Sequence, residues 1–167
     1  MTSPNSGTGY DKSDCEKGGN GYMPISLQYN DYTATYARNP SLAGGDPFEN
    51  FTNRSYKGKS VKTANKQDML SVLETKAKMK GKPVIVSLEM DKPTIMSEFE
   101  GSADAILVNF GVQNQAVLDI ISGKAEPSAL LPLQMPADMR TVEEQFEDVS
   151  RNMNCLLYTS PSPRDTR

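Results

Sequence analysis

Pro83-Val84-Ile85-Val86-Ser87-Leu88 and Ala105-Ile106-Leu107-Val108-Asn109-Phe110 are the two runs that decide the fold. Both are short, apolar and rich in β-branched residues, the pattern of strands buried in a sheet. Between them Pro93 opens a short helical stretch with Ile95, Met96 and Phe99 inward. Ahead of the first run, Asn65 is placed to cap a helix with Asp68 in its first turn. Met69, Val72, Leu73 and Ala77 then give one apolar stripe, and Gly81 ends it. Beyond the second run, Asn114 to Ser122 reads as a helix that packs Val117, Ile120 and Ile121 and stops at Gly123. Leu130 to Met135, bounded by prolines, reads as a third extended segment. This alternation predicts an α/β fold: a mainly parallel sheet with right-handed crossovers, sandwiched by helices, over residues 63–154.

Upstream, residues 1–62 are rich in Gly, Pro, Asn, Ser and Tyr, and only Ile25-Ser26-Leu27-Gln28-Tyr29 looks like a strand. A stretch this long without regular structure points to functional loops. Six of the seven tyrosines lie here, whereas disordered segments are poor in aromatics. Tyrosine offers a flat apolar face and a polar tip, which suits contact with sugars. Downstream, residues 137–154 are charged and read as surface loop, with a helical turn near Thr141-Val142-Glu143-Glu144-Gln145.

Composition narrows the chemistry. A chain of 167 residues supports one domain. A net charge of −3 and a pI near 5.1 argue against a nucleic-acid footprint. No apolar run approaches the roughly 20 residues of a membrane span. The opening Met1-Thr2-Ser3-Pro4 lacks the basic start and apolar core of a signal peptide. Two cysteines, Cys15 and Cys155, make no disulfide framework, and the absence of histidine excludes a His-based triad or zinc site. No cofactor or metal motif is expected. Acid–base chemistry falls to carboxylates, tyrosines or lysines.

The last stretch differs from the rest. Cys155-Leu156-Leu157-Tyr158-Thr159-Ser160-Pro161-Ser162-Pro163-Arg164-Asp165 resembles a transposase-type sequencing adaptor translated in one frame. Residues 155–167 are therefore expected to be adaptor-derived and are set aside from the fold.

Four pieces in order carry a family resemblance: Gly81-Lys82-Pro83-Val84-Ile85-Val86, Ala103-Asp104-Ala105-Ile106-Leu107, Ile120-Ile121-Ser122-Gly123-Lys124, and Glu126-Pro127-Ser128-Ala129-Leu130-Leu131-Pro132. Together they resemble the C-terminal α/β domain of family 3 glycoside hydrolases. Gly45-Asp46-Pro47-Phe48-Glu49-Asn50, Asn53-Arg54-Ser55-Tyr56-Lys57-Gly58-Lys59 and the run from Gly19 to Tyr29 resemble a Bacteroidetes-type β-glucosidase branch of that family. The chain departs from the pattern at Ala129-Leu130, where Gly-Arg is usual, and at Phe110-Gly111-Val112-Gln113-Asn114, where a Pro-Gly-x-x-Gly loop is usual.

The resemblance implies a fragment of an exo-acting retaining β-glycosidase acting on terminal β-linked glucose. It also implies a partner: a catalytic barrel of the same protein, which bears an aspartate nucleophile. Retaining glycosidases set two carboxyl groups roughly 5–5.5 Å apart across the scissile bond. The α/β domain of the family supplies the general acid/base, often a glutamate shortly before an Asp-Arg pair. Glu49, before Asn53-Arg54, best fits that slot; Asp46 and then Glu16 follow as candidates. Arg54, Tyr22 and Tyr32 are the candidate sugar contacts. A fragment with half of the carboxylate pair is expected to be inactive, and the family points to a periplasmic or secreted protein. The alternative is a small doubly wound binding or regulatory module. Its cue is a phosphate-cradling loop, and Gly111-Val112-Gln113-Asn114 offers a single glycine for it.

Overall fold

A computed structural model describes residues 1–38, 54–127 and 131–145. Its centre is a parallel pair, β3 (Ile85–Glu89) and β4 (Ala105–Asn109), with Ile85 opposite Ala105 and Glu89 opposite Asn109. The two runs that led the sequence reading are thus neighbouring strands of one sheet, running the same way. The chain's first residues extend it. Thr2 bridges Glu89 in parallel, Ser3 N–H donates to Glu89 O at 3.1 Å, and Glu89 N–H donates to Met1 O at 3.0 Å. The N-terminal ammonium donates to Ser87 O at 3.0 Å. The order across the sheet is therefore Met1–Ser3, β3, β4. Sequence alone gave no sign of this edge, because three residues carry no periodicity.

Helix α2 (Lys66–Lys78) precedes β3 and lays Met69 into the core, with Leu70, Val72 and Leu73 partly buried beside it; Ala77 is exposed. Asn65 stands at its N-terminus without bonding the helix amides. Its side-chain amide donates instead to Ser3 O at 3.0 Å, and its oxygen accepts from Asn5 N–H at 2.8 Å. Asp68 accepts from Thr2 N–H at 3.1 Å. The polar start of α2 thus seats the N-terminal edge strand.

The core joins Val84, Val86, Leu88 and Met90 of the strand region to Tyr29, Met69, Met96, Phe99 and Met135. Tyr29 and Phe99 meet edge to face, centroids 5.8 Å apart at 76°. The Tyr29 hydroxyl donates to Thr2 O at 2.6 Å. Four methionines, with flexible unbranched side chains, fill the gaps between these rings and the strand.

Several expectations change. Phe99 does turn inward, but the stretch after Pro93 forms two 3₁₀ turns, Met96–Glu98 and Glu100–Ser102. Ile25–Tyr29 is not a strand; Tyr29 packs from a loop. In the segment expected to be a third strand, the described residues 131–135 form no ladder, although Met135 is buried and Leu131 and Leu133 pack against the core. β3 is buried on one face only: Val86 and Leu88 are inside, while Ile85 is 45% exposed. Helix α3 (Asn114–Ile121) leaves a cleft of about 390 Å³ between itself and Ser87, Glu89 and Asn109.

Candidate functional site

The tyrosine-rich loops fold through two small devices. Helix α1 (Lys12–Glu16) starts at Asp11, whose carboxylate accepts from Ser13 N–H at 2.8 Å. β1 (Tyr32–Thr33) pairs antiparallel with β2 (Ser60–Val61), Tyr32 opposite Val61. Ala34 N–H donates to Lys59 O at 2.9 Å and Gly58 N–H to Ala34 O at 2.6 Å, which extends this contact. The Ser55 hydroxyl reaches Arg38 O at 3.4 Å. Arg38 and Ser55 are therefore neighbours in space.

Lys59 locks the α1 region to the same layer. Its ammonium donates to Asp14 Oδ2 and Asn20 Oδ1, each at 2.6 Å. Gly21 N–H donates to the same Asp14 oxygen at 2.8 Å, and the Asn20 amide donates to Ser55 O at 2.8 Å. The Lys59 ammonium first and the Gly21 amide second hold the Asp14 carboxyl below the usual aspartate range.

Glu143 was read as surface, and the structure corrects that. It sits in α4 (Met139–Glu144), a helix capped by Asp138, whose carboxylate accepts from Thr141 N–H at 2.7 Å. Glu143 is 5% exposed. One carboxylate oxygen accepts from Tyr36 N–H at 2.8 Å. The other is buried with no hydrogen bond of good geometry, and so is the Tyr32 hydroxyl. Burial, and after it the neighbouring Glu143 carboxylate, push the Tyr32 phenol well above its ordinary pKa. Arg140, one turn earlier, lays its guanidinium 4.9 Å from the centre of the Tyr36 ring and pairs with Glu144 at 2.8 Å. Spacing held a clue: Met139 and Glu143 are four apart and share a helix face, which is the inner one.

The candidates of the sequence reading fall into two groups. Glu49 and Asp46 lie outside the described residues. Glu16 lies at the end of α1, exposed, with Lys12 Nζ at 3.9 Å. Arg54 is 4% exposed, so its guanidinium is an interior group and not a solvated one. Tyr32 is half-buried beside Glu143. Tyr22 is half-buried and bridges Tyr10 antiparallel. The structure thus gathers Tyr32, Tyr36 and one buried carboxylate, Glu143. Among the described residues no group of His, Cys, Asp or Glu is arranged to hold a metal ion.

Comparison with known proteins bears on the family of the chain. Residues 27–161 match the family described as the glycosyl hydrolase family 3 C-terminal domain. A probable β-glucosidase C of Aspergillus flavus is 37% identical over 67 residues, covering 40% of this chain and 11% of that protein. β-Glucosidase C of Emericella nidulans is 36% identical over the same length, 40% of this chain and 11% of that protein. A periplasmic β-glucosidase/β-xylosidase of Dickeya chrysanthemi is 27% identical over 113 residues, 68% of this chain and 16% of that protein. The chain thus matches between a tenth and a sixth of the length of these relatives. No solved structure matches it significantly. An α/β layer with a parallel pair at its heart, a family match over most of the chain and β-glucosidase relatives agree: the chain belongs to the C-terminal domain family of the family 3 glycosyl hydrolases.

Proposed function

We propose that this chain is the acid/base-bearing portion of an exo-acting retaining β-glycosidase of the β-glucosidase type. The family match over residues 27–161 carries the reading. In it Glu49 protonates the leaving oxygen and then activates water, while an aspartate on a barrel of the same protein attacks the anomeric carbon. Asp46 and Glu16 are the fallback donors. Arg54, Tyr22 and Tyr32 line or support the sugar contacts. The Dickeya relative's periplasmic description supports export of the parent protein; no helix among the described residues is long and apolar enough to cross a membrane.

The test uses the complete reading frame. Glu49→Ala is expected to lower turnover of cellobiose by about 10²–10⁴-fold, the usual worth of a general acid/base. An aryl β-glucoside with a good leaving group still glycosylates the enzyme, and added azide then restores turnover because it needs no base. Unchanged cellobiose turnover in Glu49→Ala, Asp46→Ala and Glu16→Ala alike sinks the proposal. So does hydrolysis of aryl β-glucosides by residues 1–167 alone.

A further inference from the structure

Asn20-Gly21 is the one Asn-Gly pair in the chain. Such a pair is chemically labile, because glycine has no side chain to shield its amide nitrogen from the asparagine before it. The nitrogen of Gly21 attacks Cγ of Asn20 and a C–N bond forms. The bond from Cγ to Nδ2 breaks, and ammonia leaves with the amide proton. Water then opens the cyclic succinimide to aspartate or to isoaspartate, in which the backbone runs through the former side chain.

Packing imposes this pair on the fold. Gly21 is buried and takes φ +78°. A Cβ there would lie 2.5 Å from the Tyr10 ring and 2.6 Å from Cys15 Sγ, so a side chain has no room. The Gly21 carbonyl accepts from Asp11 N–H at 2.8 Å. Asn20 is tied as firmly. Its amide donates to Ser55 O, and its oxygen accepts from the Lys59 ammonium and from Tyr22 N–H at 3.1 Å.

The same contacts withhold every atom the reaction needs. To react, Asn20 must swing its Cγ onto the Gly21 nitrogen and give up Ser55, Lys59 and Tyr22. Gly21 N–H must leave Asp14 Oδ2, 2.8 Å away. A fixed carboxylate beside that nitrogen opposes the negative charge it gathers as it attacks. Asp14 is also a poor base for the proton, since Lys59 and then Gly21 hold its carboxyl below the usual range.

We propose that Asn20-Gly21 is a deamidation site held shut by the Asp14–Lys59 pair, and that it reacts when the α1 region parts from Lys59 and Ser55. The change is then one-way. A carboxylate at position 20 has no proton to donate to Ser55 O, and it shares one lysine with the Asp14 carboxylate. Isoaspartate adds a methylene to the backbone beside Gly21, where the Tyr10 ring and Cys15 leave no space. The α1 region, once modified, no longer closes on the β2 layer as before. None of this depends on the glycosidase reading.

The test incubates the full chain at mildly alkaline pH, folded and in parallel in urea. Peptide mapping by mass spectrometry then measures aspartate and isoaspartate at position 20. The chain in urea is expected to react at least about tenfold faster than the folded chain, the worth of one charge-assisted hydrogen bond in the population of an open state. Folded Lys59→Ala is expected to react about tenfold faster than the folded parent, and at the parent's rate in urea. Asn30, whose amide is fixed on Glu98 at 2.7 Å, serves as the internal control and keeps its parent rate. Equal rates for the parent folded and in urea overturn the proposal, and so does Lys59→Ala reacting no faster than the parent. An equal rise at Asn30 marks general unfolding and removes the local role of Lys59. A product that joins the Lys59 and Asn20 peptides also overturns it, since the lysine nitrogen then attacks where Gly21 is assigned to.

Discussion

At the residue scale, Glu143 shows what the side chains of a charged segment can conceal. Glu143 and Glu144 are adjacent, and composition treats them alike. Helix phase separates them, since one faces Tyr32 and Tyr36 and the other faces Arg140 at the surface. Removing the buried one leaves Tyr36 N–H without its acceptor, an omission that costs about 1–3 kcal/mol in a buried setting. Glu143→Ala is therefore expected to lower the urea midpoint, whereas Glu143→Gln, which keeps an acceptor, loses less than half as much. Equal losses in the two variants, or none in either, contradict the role assigned to that hydrogen bond. The Tyr32 phenol gives a second reading of the same contact. Its folded pKa lies above its unfolded one, so its contribution to stability is complete below about pH 10 and declines as pH rises further. In Glu143→Gln the Tyr32 phenol is expected to ionise at lower pH than in the parent, which ultraviolet titration of the tyrosines measures.

At the level of elements, the sequence announced the centre of the fold and missed its margins, for physical reasons. β3, β4, α2 and α3 each carry a long enough apolar pattern to be read without their neighbours. The edge strand Met1–Ser3 and the β1–β2 pair are defined by partners distant in sequence, so no local pattern marks them. Asn65 illustrates the difference: its type fits a helix cap, but its geometry serves the edge strand. Asp104 is a similar junction. It accepts from Lys76 at 2.6 Å and from Val84 N–H at 2.7 Å, joining the last turn of α2 to the starts of β3 and β4. Lys76 first, then the Val84 amide, lower its pKa below 3.8. Its stabilisation is thus present above that value and is lost as pH falls through the lower folded pKa. Thermal melts between pH 5 and pH 2 are expected to show a steep acid limb that flattens in Asp104→Asn. A limb of unchanged slope assigns the acid sensitivity to other carboxylates, Asp14 and Asp11 first.

For the whole molecule, the feature that matters most is how much apolar surface the chain leaves uncovered. Phe110, Val112, Leu118 and Ile121 are all more than 40% exposed, and three of them line the region of the cleft beneath α3. The second face of β3, with Ile85 at 45%, is open as well. A parallel sheet is ordinarily covered on both faces, and contiguous exposed apolar surface marks an interface. This also explains why the candidate site was only partly legible. Arg54, Tyr22 and Tyr32 could be named from residue type. Their depth depends on packing against residues distant in sequence, which residue type does not announce, and Glu49 and Asp46 lie outside the described residues. Residues 1–167 in isolation are therefore expected to self-associate in the micromolar range, with a concentration-dependent sedimentation coefficient and dye binding typical of exposed apolar surface. Leu118→Glu with Ile121→Lys introduces opposite charges on one face of α3 and is expected to restore a monomer without lowering the melting temperature. The reason is that both side chains contribute little to the core while exposed. If the double variant stays associated, the sticky surface is not α3, and the uncovered face of β3 at Ile85 becomes the surface to change next, because an apolar sheet face attracts a second copy whatever α3 presents.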